Sequence, residues 1–75
     1  MNKGVMKFSI GMRVKVVAKG GLSGKTGTVA MLRNNDSAWV RMDDDLPEEL
    51  RKFPADSPQR KVVPLRSKEC VEIDF

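Results

Sequence analysis

The chain has no histidine, no tyrosine and a single cysteine, and it carries no acidic residue before Asp36. Without histidine it lacks the usual general base near neutral pH and the commonest zinc ligand. With Cys70 as its one cysteine it cannot form an internal disulfide. No apolar run approaches the ~20 residues that cross a bilayer as a helix. The opening residues, MNKGVMKFSIG, contain no apolar stretch of the kind that marks a secretory signal. A reducing, cytoplasmic setting is therefore the expectation. A chain of 75 residues is expected to form one domain, and at this size it buries only roughly 60% of its unfolded surface. That leaves room for one small core and none for a deep catalytic cleft. The expected protein is not an enzyme and uses no cofactor or metal.

What the chain does have is charge, unevenly placed. The net charge is +4. Residues 1–35 hold Lys3, Lys7, Arg13, Lys15, Lys19, Lys25 and Arg33 with no acid to offset them. Residues 36–50 reverse this, with Asp36, Asp43, Asp44, Asp45, Glu48 and Glu49 against Arg41 alone. A basic half of this kind recruits anionic partners.

Alternation of valine with base predicts the first strand. Val14 and Val16 alternate with Arg13 and Lys15 across residues 12–18, the period-2 pattern of a half-buried strand. Residues 19–25 then form a glycine-rich basic loop, and residues 26–32 a second strand with Gly27, Val29 and Met31 on one face. Asn34, Asn35, Asp36 and Ser37 make a strong turn signal. A third strand is expected over residues 38–42, a fourth over 61–65, a helical turn over 67–70 and a last strand over 71–74. Residues 1–10 form a basic lead-in whose Phe8 and Ile10 can pack onto the domain edge, with fraying expected over residues 1–8. Residues 43–60 form an acidic insertion containing three prolines, Pro47, Pro54 and Pro58. Inside it, Asp45 and Glu48 have capping-box spacing, and Leu46, Leu50 and Phe53 have the spacing of a short helix that Pro54 ends. The expected core is Val14, Val16, Val29, Met31, Val40, Met42 and Val63.

The stretch from Gly11 to Val29, GMRVKVVAKGGLSGKTGTV, resembles the KOW motif of ribosomal proteins and transcription elongation factors. That resemblance covers about a quarter of the chain. It implies a small all-β fold, a five-stranded SH3-like barrel whose last strand lies beside the first. The insertion between strands three and four is longer than in the minimal KOW domain. The resemblance also implies that the loop after strand one and the start of strand two contact RNA or a partner protein. Carried onto this chain, those positions are Lys19, Gly20, Gly21, Ser23, Gly24 and Lys25. Lysines beside backbone N–H groups suit phosphate oxygens.

Other patterns invite chemistry and lose it on inspection. Residues 20–26, GGLSGKT, look like a phosphate-binding P-loop, but Lys19 stands where its first glycine belongs and a strand pattern follows. The carboxylates of residues 43–49 lack the spacing of a calcium loop. Cys70 has no histidine to activate it and reads as a small core residue. Trp39 is different. With Val40 and Met42 facing the core, Trp39 and Arg41 share the outer face of strand three. There the indole can stack a base or anchor an interface, unless the insertion folds back and covers it.

The expected function is nucleic-acid binding, to RNA or DNA, mainly through phosphate contacts. Arg13, Lys15, Arg33, Trp39 and Arg41 would join the loop residues in that site. The alternative is a protein-interaction module docked on a larger complex such as RNA polymerase or the ribosome, for instance a small phage-encoded transcription regulator. The acids of the insertion discriminate the two. A nucleic-acid binder holds them away from the basic loop, whereas a protein docker uses both signs, with the helix carrying Leu50 and Phe53 as its contact.

Overall fold

The computed structural model describes residues 7–34 and 36–73. The described residues contain five strands and two single 3-10 turns: β1 (Arg13–Val16), β2 (Thr26–Asn34), β3 (Ser37–Met42), a turn at Glu48–Leu50, β4 (Val62–Arg66), a second turn at Ser67–Glu69, and β5 (Cys70–Glu72). They form one antiparallel sheet in the order β4-β3-β2-β1-β5. The last strand does lie beside the first, with Val16 opposite Cys70 and Val14 opposite Glu72. β4 and β5 stand at the two edges of the ladder.

Alternation positions the core as expected in β1 and β3. Val14 and Val16 are buried and Lys15 between them is exposed. Ala38, Val40 and Met42 are buried, while Arg41 is exposed and Trp39 half-buried. The turn between β2 and β3 follows from Asn34, whose Oδ1 accepts hydrogen bonds from the Asp36 N–H at 3.1 Å and the Ser37 hydroxyl at 2.9 Å. This is the local side-chain bonding that makes Asn a turn former.

Met31 departs from the expected core. It is 60% exposed. Val29 pairs with Val40, but Met31 pairs with Trp39, so β2 carries an extra residue at Ala30. Inserting one residue in a strand of period 2 turns every later side chain to the opposite face. Met31 thus leaves the core and joins Trp39 outside.

The insertion also folds differently from the expected short helix. Its only helical piece is the 3-10 turn Glu48–Leu50, preceded by Pro47 in extended geometry (φ −57°, ψ 149°) with no side-chain cap. Proline biases the residue before it away from helix, and a second proline follows at 54. Asp45 therefore makes no cap; its carboxylate lies 3.6 Å from Arg60. Leu46, Leu50 and Phe53 go to three places. Leu46 is buried in the core cluster. Leu50 packs against Gly21. Phe53 meets Trp39 with ring centroids 6.1 Å apart. Leu50 shares a cavity with the core-side residue Leu65, and Phe53 one with Trp39 and Val62 of the opposite face. The segment thus reaches from the core side of the sheet to its outer side beside β4.

Phe8, from the lead-in, is buried in the core cluster, and Ile10 is 69% exposed. The rest of that lead-in, residues 1–6, lies outside the described residues. No helix among the described residues is long and apolar enough to cross a membrane.

Candidate interaction surface

The sheet separates the candidate residues into two groups. Lys19, Gly20, Gly21, Ser23, Gly24 and Lys25 occupy the loop joining β1 to β2. Gly24 closes that loop with φ 83°, a left-handed conformation, while its N–H bonds to the Val16 carbonyl at 2.8 Å. Arg33 sits at the far end of β2, roughly 25 Å away at the rise of an extended strand. It lies with Trp39 and Arg41 on the outer face. Arg13 and Lys15 stand between the groups, also facing outward. Arg13 and Arg41 are both register partners of Thr28, so the three form one row across β1, β2 and β3.

The two groups differ in how their charge is answered. Asp43 leaves the end of β3 and holds the Arg13 guanidinium with two contacts, at 2.8 and 2.7 Å. The Thr26 hydroxyl donates to the same carboxylate, and Arg13 also reaches Thr28 Oγ1 at 2.8 Å. Lys25 Nζ lies 3.7 Å from Asp44. The carboxylates of residues 43–45 thus diverge to Arg13, Lys25 and Arg60. No ion pair among the described residues involves Lys15, Lys19, Arg33 or Arg41. Asp43 was not among the expected site residues. The signal available for it was its position, one residue past a strand whose outward side carries a base.

The Arg13 and Thr26 hydrogen bonds hold the Asp43 carboxyl well below its ordinary value of 3.8. A depressed folded-state value stabilises the fold above about pH 4, and that contribution fades as pH falls toward the folded value. The Asp43 side chain is 42% exposed, so solvent screening limits the contribution to at most about 1 kcal/mol. Asp43→Asn should therefore lower the urea midpoint near about pH 6, with the difference from wild type shrinking at about pH 3. A difference independent of pH would show that the Asp43 charge has no part in it.

Cys70 is buried, and burial, with a smaller contribution from Glu69, pushes its thiol up to about 11. It is a core residue with little thiolate to react. Residues 20–26 run into β2, not into a helix, so the P-loop likeness ends at the glycines.

Trp39 faces outward as its phase predicts, yet it is half-buried. Phe53 tilts against it at 54°, and the Arg33 guanidinium lies 5.6 Å over its ring. Both the outer-face placement and the covering by the insertion therefore hold. Met31, Phe53 and Gln59 join Trp39 and Arg41 in lining a groove there; Phe53 is the contact expected of a protein docker, whereas Met31 and Gln59 are absent from the expected site. No family model matches the chain, and no curated protein matches it.

Proposed function

We propose that the chain is a non-enzymatic SH3-like, KOW-like module that docks on a partner protein within a larger assembly, such as RNA polymerase or the ribosome. The observation that carries this reading is the return of the acidic insertion onto the basic first half. Asp43 occupies Arg13 and Asp44 approaches Lys25. The region of the sequence best suited to phosphates is thereby partly neutralised within the chain. A surface that presents both signs beside apolar side chains suits a protein partner, where complementary charge fixes register and selects the partner.

Nucleic-acid binding is the second reading. It is favoured by Lys15, Arg33 and Arg41, which share the outer sheet face and form no ion pair among the described residues. Affinity purification of the tagged chain with and without nuclease separates the two. Partners retained after nuclease are the expected result. Loss of every partner on nuclease treatment would put nucleic-acid binding first.

A further inference from the structure

The outer face around Met31 and Trp39 combines three features. The β2 bulge turns Met31 outward, where it stays 60% exposed in the middle of a nine-residue strand. The insertion returns beside β4 and sets Phe53 against Trp39, raising a second wall opposite Met31. Between them lies a groove of about 230 Å³ lined also by Ala30 and Val62. Pockets that enclose drug-sized molecules run to roughly 300–1,000 Å³, so this one is suited to a single large side chain.

The charged side chain lining the groove is a base. Arg41 lines it, and Arg33 lies over the Trp39 ring at 5.6 Å. No acidic residue lines it. The acids of residues 43–45 are engaged elsewhere, on Arg13, Lys25 and Arg60. A complementary partner brings carboxylates to the two arginines, whose planar forks match them. Nucleic acid fits this face less well. Stacking needs an open aromatic face, and Trp39 has Arg33 over its ring and Phe53 tilted against it.

From this we infer that the face docks an acidic segment of a partner protein, which seats one apolar side chain between Met31 and the Trp39–Phe53 pair and sets carboxylates on Arg33 and Arg41. The inference rests on the protein-docking reading above and names the site and the chemistry of the partner. Arginine, tryptophan and a buried apolar anchor are the residue types that carry most interface energy.

Trp39 is the sole tryptophan and reports directly on the groove. The probes are a short synthetic peptide with leucine and phenylalanine flanked by aspartates, the same peptide with lysines in place of the aspartates, and a single-stranded oligonucleotide. Each is titrated against the full chain while Trp39 emission is followed. The aspartate peptide should shift the emission and the lysine peptide should not. Met31→Ser and Arg41→Glu should each weaken aspartate-peptide binding roughly tenfold or more. Both positions are exposed, and unchanged circular dichroism would show the fold intact. Lys19→Ala with Lys25→Ala should leave peptide binding unchanged. If aspartate-peptide binding survives Met31→Ser and Arg41→Glu but is lost with the loop pair, this face is the wrong site and the docking reading stands. If only the oligonucleotide binds, the inference and the docking reading both fall. Equal binding of the two peptides would overturn the charge argument.

Discussion

Gly27→Ala is expected to destabilise the fold by about 1–3 kcal/mol, and Gly27→Val by more. Gly27 is buried in β2, directly opposite Met42. A Cβ placed there would stand 2.7 Å from the Arg41 carbonyl oxygen, 2.8 Å from Val40 Cγ1 and 3.1 Å from Met42 Cα. Two of those three atoms are backbone of the neighbouring strand, so no rotamer change relieves the clash. The strands themselves would have to separate, opening the ladder that holds β2 to β3. A domain of 75 residues has roughly 4–11 kcal/mol of total stability at the usual share per residue. The alanine variant should lower the urea midpoint by about 1 M. The valine variant should be largely unfolded or insoluble. A midpoint unchanged in the alanine variant would mean that β2 and β3 do not approach at the separation described.

The contrast between β1 and β2 shows what a sequence of this kind discloses. In β1 the alternation of valine and base is local, and the strand obeys it: Val14 and Val16 are core and Lys15 is outside. In β2 the same rule holds through Val29 and then fails at Met31. Nothing in the stretch from Val29 to Met31 distinguishes a regular strand from a bulged one, because the extra residue is defined only against β3. The insertion went astray for a related reason. Asp45 and Glu48 have capping-box spacing, and Leu46, Leu50 and Phe53 have helical spacing. However, about two turns of helix cut short by proline cannot repay nucleation in isolation. Tertiary partners decided the outcome instead: the core for Leu46, Gly21 for Leu50 and Trp39 for Phe53.

The candidate site was legible in its residue types more than in its grouping. Trp39 and Arg41 face outward because Val40 and Met42 face in, a deduction from adjacent residues alone. That Arg33 would lie over Trp39, and the loop lysines far from both, depends on the length of β2. The engagement of Arg13 by Asp43 spans thirty positions of chain. Charge counting by segment saw a basic half and an acidic insertion and could not show that the second folds onto the first.

That return of the acids has a measurable consequence, and Leu46 and Leu50 separate its two parts. Leu46 is 3% exposed and belongs to the core cluster. Leu46→Ala should cost about 2–5 kcal/mol, the range for a buried leucine whose cavity collapses to varying degrees. That is a large share of the stability of so small a domain, and the variant should melt far below wild type. Leu50 lies nearer the surface, half-buried against Gly21 of the basic loop. Leu50→Ala should leave the core closed while loosening the insertion from the loop. Asp44 would then hold Lys25 less closely, and Lys19 and Lys25 would present more positive charge to solvent. The folded Leu50→Ala protein should therefore elute from immobilised heparin at higher salt than wild type, because each added phosphate-like contact steepens the salt dependence of binding. Double replacement of Lys19 and Lys25 with alanine in the Leu50→Ala background should bring elution back to the wild-type salt or below it. Elution of Leu50→Ala at the same salt as wild type would show that the insertion does not mask the loop, and the argument from internal neutralisation to a protein partner would lose its support.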